Sequence, residues 1–336
     1  MTHAISLIPP VPNLALSRRH LIAAASGLAL APLSFAQRTY PDHAVKVVVP
    51  NAPGSSVDTI GRVVCIELSR LLAQPVVIDN RAGAAGAIGV EAVRNAPADG
   101  YSLLVGSSSA LSVAPLLQKA VTYSALRDFE LISLMALLPN VLVCNTQLPV
   151  QSLAQLSAYA KSKGSASNMA SAGVGSVSHL AGMALQNAAG FKSLHVPYKG
   201  GAQGVASVVS GETDWVLTPA PAAMSLVAAG RLRLLGHSMP PTSQPLGNVP
   251  SLAVTLPGFE FSSWIGMMAP KGVPVAVIEL LSKAMALALQ RPEVLKAFES
   301  NGAVAQASSP DGFRAYLTRD IEINRRAVAT AGLQPE

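Results

Sequence analysis

Aromatic and charged residues are both scarce in this 336-residue chain, at 4% and 12% of its length. Too few rings are present for an aromatic-lined carbohydrate sandwich, whereas abundant Ala, Gly, Ser and Val suit close strand–helix packing. Low charge does not signal disorder here, because half the residues are apolar and can bury a sizeable core. Despite a formal net charge of +6, no run of five or six basic residues occurs. That excludes nucleic acid and a membrane surface as partners. No segment after residue 36 is an unbroken apolar run long enough to span a bilayer. The mature histidines His43, His179, His195 and His237 are scattered, and neither His-x-x-x-His nor Cys-x-x-Cys spacing occurs, so no metal is expected. No cofactor is expected either. A G-x-S-x-G elbow is missing, and no pair of acids stands out for general acid–base work, which argues against an enzyme. The only two cysteines, Cys65 and Cys144, read as small core residues on a helix face and in a strand.

What the chain does have begins with a leader. Ser17-Arg18-Arg19-His20 precedes an apolar run from Leu21 to Phe35, broken by Gly27 and Pro32, and Ser34-Phe35-Ala36 offers a small-x-small exit. Residues 1–36 are expected to be a signal peptide, exporting the chain to the periplasm, by either the twin-arginine or the general secretion route.

Beyond the leader a theme repeats: an apolar strand, a Gly/Ser loop, an amphipathic helix. Val45–Val49 is a β-branched run ending in Pro50-Asn-Ala-Pro-Gly-Ser-Ser56, and the next helix turns Ile60, Val63, Val64, Leu68, Leu71 and Leu72 to one side. Strands at 75–78 and 101–105 follow, with the loop 80–86 and a helix at 88–95 between them. The pattern restarts with strands at 140–144, 168–171, 194–198, 214–218 and 232–235. A strand at 264–268 and two helices, 274–290 and 310–331, close the chain. Alternation of this kind predicts parallel sheets covered on both faces. Two α/β lobes are expected, 37–139 plus 259–336 and 140–258, with a ligand cleft between them.

Strand-to-helix loops at Gly54-Ser55-Ser56, Gly83 to Gly86 and Gly173-Val-Gly175-Ser176 leave backbone N–H groups at helix starts, where anions bind without a charged side chain. Gly83-x-x-Gly86-x-x-Gly89 lacks the opening of a dinucleotide fingerprint. Asp58, in the first helical turn, is expected to stabilise backbone N–H groups rather than to do chemistry.

These runs bring a family into view. Tyr40-Pro41, Val48-Val-Pro50 through Pro53-Gly54 to Asp58, Gln74-Pro-Val-Val77, Asn80-Arg81, Gly83-Ala-Ala-Gly86 and Asp99-Gly-Tyr101 carry it in the first part. Ser171-Ala-Gly173, Ser178-His-Leu-Ala-Gly182, His195-Val-Pro-Tyr-Lys-Gly200, Ser263-Trp264, Ala269-Pro270 and Pro292-Glu293 continue it. The chain resembles the Bug-type extracytoplasmic solute receptors, the substrate-binding proteins of tripartite tricarboxylate transporters. The resemblance implies a type II periplasmic-binding-protein fold that closes on a small organic acid and hands it to inner-membrane permease subunits. An orphan receptor serving a sensor, and a cleft hydrolase, are the alternatives. Ligand carboxylates would be held by the loop Asn51, Gly54, Ser55, Ser56 and Asp58, and by Ala172, Gly173, Gly175, Ser176, Ser178 and His179. Ser107, Ser108, Ser109, Tyr198, Lys199 and Thr218 would line the rest. This sequence departs from the family pattern at Asn51 (often Phe), Ser55 and Ser56 (Gly), Val57 (Thr), Val174 (Asn) and Val177 (Thr or Ser). Thr218 stands where an Asp is common. Losing that acid removes a partner for a ligand amine, so a non-amino mono- or dicarboxylate is expected.

Overall fold

The computed structural model describes residues 40–242, 246–330 and 332–335. The expected leader and its cleavage site lie outside the described residues.

The β-branched run Val45–Val49 forms β1, buried at all but Lys46. Helix α1 (Ser56–Leu71) follows and turns Ile60, Val64 and Leu68 into the core. Strand β2 (Val76–Asn80), helix α2 (Ala87–Arg94) and strand β3 (Ser102–Ser107) come next. A long strand, β4 (Phe129–Asn145), then leads to helix α3 (Leu153–Lys163), strand β5 (Asn168–Ser171) and helix α4 (Val177–Ala189). Strand β6 (Leu194–Pro197), helix α5 (Gly201–Ser210) and strands β7 (Trp215–Pro219) and β8 (Leu232–His237) follow. Strand β9 (Ser262–Pro270), helices α6 (Val275–Ala288) and α7 (Pro292–Ser300), the two-residue strand β10 (Val304–Ala305) and helix α8 (Pro310–Thr330) complete the order. Helices shorter than eight residues are left unnumbered.

The strands join in the order β2-β1-β3-β9-β4-β7-β5-β6, with β10 and β8 added on β4. Parallel pairing was expected throughout; it holds for β1 with β2 and β3, and for β5 with β6 and β7. The middle of the sheet is antiparallel, because β9 returns between β3 and β4. No local pattern announces that insertion, since β9 lies far along the chain from both neighbours.

Strand β4 is also longer than its sequence suggests. Only 140–144 reads as strand, because Pro139 lacks an N–H and normally interrupts a ladder. In the fold Pro139 falls where β4 changes partners. Residues 129–139 pair with β9, and 140–145 pair with β7 and β8, so the missing donor sits at the seam. Two main apolar clusters lie on either side of that seam. One gathers Val48, Leu104, Phe129, Trp264 and Phe313, and the other Leu142, Leu156, Leu185, Trp215 and Leu217. Helix α7 was also missed; it is short, and Pro292 at its first position reads equally well as a break. Cys65 and Cys144 are both buried free thiols. Burial pushes their pKa values up, to about 12 and about 11. Among the described residues, no helix is long and apolar enough to cross a membrane.

Candidate functional site: an uncharged cavity between two helix starts

The loop after β1 is braced from within. Ser55 caps α1, accepting a hydrogen bond from the Asp58 N–H at 3.3 Å. The Asp58 carboxylate reaches back to accept from Gly54 N–H at 2.9 Å, from Asn80 Nδ2 at 2.9 Å and from Arg62 Nε at 3.0 Å. Burial alone would raise the pKa of this carboxyl, but the bonds from Arg62, Gly54 and Asn80 outweigh it and hold the pKa below its ordinary value. Stability from such a group is present above the ordinary carboxyl range and fades as the pH falls through its own lowered pKa. Asp58→Ala strands a buried amide and part of Asn80, and should cost about 2 kcal/mol. Chemical denaturation should show that deficit at pH 7 and a narrower one below about pH 4.

The second loop is closed in the same way. Ser176 caps α4 by accepting from His179 N–H at 3.2 Å, and its hydroxyl donates to Gly173 O at 2.7 Å. Gly173 N–H donates to Ser171 Oγ at 3.1 Å and Gly175 N–H to His179 Nδ1 at 3.4 Å. Ala172 N–H donates to Ser178 Oγ at 2.8 Å.

Between the two loops lies a cavity of about 40 Å³. Asn51, Ser55 and Ser56 line it from the first loop, Ser107, Ser108 and Ser109 from the end of β3, and Ala172, Ser178 and Thr218 from the other half of the sheet. Each was expected from the sequence. Gly173, Tyr198 and Lys199 instead border a wider opening of about 420 Å³ that shares Ala172 with the inner cavity. The Gly83–Ala85 turn forms its opposite rim. Burial, with Glu212 nearby, raises the Tyr198 pKa, and its buried hydroxyl has no hydrogen-bond partner among the described residues. Gly54, Asp58, Gly175, Ser176 and His179 border neither space. Their bonds shape the two loops from behind.

Val57, Leu138, Gly201, Pro219, Ser263, Trp264 and Ile265 line the inner cavity without having been expected there. Ser263-Trp264 is a family run in the sequence and Val57 lies within the run ending at Asp58, and those were the available signals. Leu138, Pro219 and Ile265 belong to strands brought together only by the sheet order.

The three successive serines do different work. Ser108 Oγ accepts from Trp264 N–H at 2.7 Å, and Ser109 Oγ accepts from Val177 N–H, at the start of α4, at 3.0 Å. The Ser107 hydroxyl is buried without a hydrogen-bond partner among the described residues, as is Asn51 Oδ1. Two further bonds span the same gap: Ser56 Oγ donates to Pro219 O at 3.3 Å and Gln118 Nε2 to Val174 O at 3.0 Å. So the glycine amides are committed within their own loops. The free donors include Ser56 N–H and Val57 N–H at the first turn of α1, Ser178 N–H in α4 and Gly201 N–H at the start of α5, which have no partner among the described residues. No charged side chain is among the lining residues.

Residues 60–328 match the family described as the tripartite tricarboxylate transporter family receptor. The chain belongs to that family. Protein BugT of Bordetella pertussis is 35% identical over 304 residues, covering 90% of this chain and 92% of BugT. Among solved structures, Rhodopseudomonas palustris Rpa4515 with adipate superposes with a TM-score of 0.86 at 29% identity, covering 88% of this chain and all of that one. MatC from the same organism, with bound malate, gives 0.81 at 27% identity, covering 86% of this chain and all of MatC. The tripartite tricarboxylate transporter receptors thus supply both the sequence and the fold. The architecture is the α/β type II periplasmic-binding-protein fold, and the protein is a solute-binding receptor.

Proposed function

We propose that this receptor works in the periplasm, capturing a small organic carboxylate between two lobes, 37–139 plus 259–336 and 140–258, for delivery to a tripartite membrane permease. The observation that carries the reading is the uncharged cavity, where two helix starts and a set of Ser and Thr hydroxyls converge, the buried Ser107 hydroxyl among them having no partner among the described residues. A carboxylate there would accept from Ser56, Val57 and Ser178 N–H groups and from hydroxyls. Charge-assisted bonds of this kind are worth about 1.5–3 kcal/mol each. The positive end of α1 adds to them. Adipate in Rpa4515 and malate in MatC are acids of this class. The inner space holds roughly a water or two, so the bonds of Ser56, Ser109 and Gln118 across the gap must part before an acid of four to six carbons can seat.

A thermal-shift panel of organic acids tests the reading. An acid at a hundred times its dissociation constant adds about 2.7 kcal/mol. At about 2–4 °C per kcal/mol for a chain of this size, that is a clear rise in Tm. A panel without one responding acid would defeat the proposal. Selectivity is tested at Thr218, a fully buried wall residue. Thr218→Asp should lower affinity for simple dicarboxylates by about tenfold, or 1.4 kcal/mol, and raise the relative affinity for aspartate and glutamate. Titration calorimetry with matched acids and amino acids reads both.

A further inference from the structure

Asn140 follows Pro139 at the seam of β4, is fully buried, and ties together three passes of the chain. Its N–H donates to Ser238 Oγ at 3.0 Å, and its carbonyl accepts from Ser238 N–H at 2.9 Å. Its side-chain Nδ2 donates to Phe261 O at 2.9 Å, and the Ser238 hydroxyl donates to the same carbonyl. Phe261 N–H donates in turn to Ser238 O at 3.0 Å. On the other side of the Asn140 amide, Ser263 Oγ lies 3.1 Å from Oδ1.

Every proton in this cluster has one place to go. A carbonyl oxygen only accepts, so Phe261 O fixes Nδ2 on its own side and leaves Oδ1 towards Ser263. Oδ1 is itself an acceptor, so Ser263 is the donor. Ser263 is 4% exposed and is also a wall of the inner cavity. Its situation differs from that of Ser108 and Ser109, whose oxygens accept from backbone N–H groups. The Ser263 proton is committed to the seam.

We propose that Ser263 reports occupancy of the cavity to the seam through Asn140, a positioning residue for Phe261. The proposal rests on the reading of the cavity as the ligand site.

The inner space is about 40 Å³, so an acid seated in it lies against this wall. An ionised carboxylate only accepts hydrogen bonds, so at Ser263 it either draws the hydroxyl proton or meets a lone pair. The charged acceptor makes the stronger bond, and the hydroxyl turns from Asn140 to the acid. Asn140 Oδ1 is then a buried acceptor without a donor, an unfavourable state. Relief requires the amide to turn, which weakens the Nδ2 bond to Phe261 O. On the two-lobe reading, that carbonyl lies where the chain returns from one lobe to the other. A neutral solute that donates a hydroxyl to Ser263 leaves the Asn140 bond in place, so the signal is selective for acids.

NMR of the purified, isotope-labelled protein tests this. Acetate, malate and adipate are added in turn, with sodium chloride at equal ionic strength as the control. Seating is read at the Ser56, Val57 and Ser178 backbone amides, and the seam at Asn140 Nδ2 and the Phe261 carbonyl carbon. An acid that moves the three amides should move both seam resonances in wild type, with the same midpoint. Ser263→Ala removes the hydroxyl and leaves the strand in place. In that variant the three amides should still respond to the acid, whereas the seam shift should be lost. Seam resonances that stay still in wild type while the three amides move overturn the proposal, as does an undiminished seam shift in Ser263→Ala. Wild type alone decides if the variant does not fold. If none of the acids moves the three amides, the cavity reading fails and the proposal falls with it.

Discussion

Ala172→Phe should abolish the thermal response to every organic acid that stabilises the wild-type protein. Ala172 borders both the 40 Å³ inner cavity and the 420 Å³ opening that shares it, so a ring added there takes the space where, on the proposed reading, a ligand would pass and sit. Losing the whole stabilisation given by an acid at a hundred times its dissociation constant, about 2.7 kcal/mol, requires at least a hundredfold weaker binding. The fold itself has little reason to suffer. Ala172 is only half-buried, and its N–H bond to the Ser178 hydroxyl is made by the backbone, which any residue supplies. The free variant should therefore melt within about 3 °C of wild type, a shift of about 1 kcal/mol. Calorimetry that finds an acid bound within tenfold of its wild-type affinity would place the ligand somewhere other than this cavity.

Gly89→Val should have the largest effect on stability, about 3 kcal/mol or more. Helix α2 crosses the end of β1 so closely that a Cβ on Gly89 would come within 2.7 Å of Pro50 Cα and 2.9 Å of Arg81 O. Both are backbone atoms and cannot rotate aside. The helix would have to lift away from the residue that precedes Asn51, a wall of the cavity. Melting should fall by about 6–12 °C, at 2–4 °C per kcal/mol. Ligand affinity should fall with it in whatever fraction remains folded. A variant that melts within 2 °C of wild type would show that the helix can move at little cost. The spacing Gly83-x-x-Gly86-x-x-Gly89 therefore has a packing reason. Gly86 and Gly89 let α2 approach Ala110 and Pro50, while Gly83, with φ +133°, begins the turn that carries Ala84 and Ala85 at φ +46° and +50°.

Much of the fold was legible where physics is local. Val45–Val49 is β-branched throughout, α1 repeats its apolar residues at helical spacing, and Ser55, Ser152 and Ser176 stand where caps were needed. The first half of β4 was not, because Phe129–Leu138 has no alternation and Pro139 looks like its end. The antiparallel place of β9 was hidden for a different reason: pairing between Trp264 and Leu137 is set by the whole sheet. At the site, the converging serines were visible as loop residues at strand ends. What could not be read is which donors stay free. Asp58, Ser171 and His179 absorb the amides of Gly54, Gly173 and Gly175, and only folded geometry brings those side chains round. On the proposed reading, ligand binding would therefore fall to hydroxyls and helix-start amides more than to Gly54, Gly173 and Gly175.

Strand β4 carries a mechanical consequence. Its 17 residues run unbroken from one half of the sheet into the other, with β9 alongside up to the seam at Pro139. On the proposed capture of a solute between two lobes, such a ribbon would not let the halves swivel freely, because ladders hold its peptide geometry on both sides. Their separation would have to be taken up as flexure of β4, which would then act as a leaf spring whose stiffness sets the work of enclosing a solute.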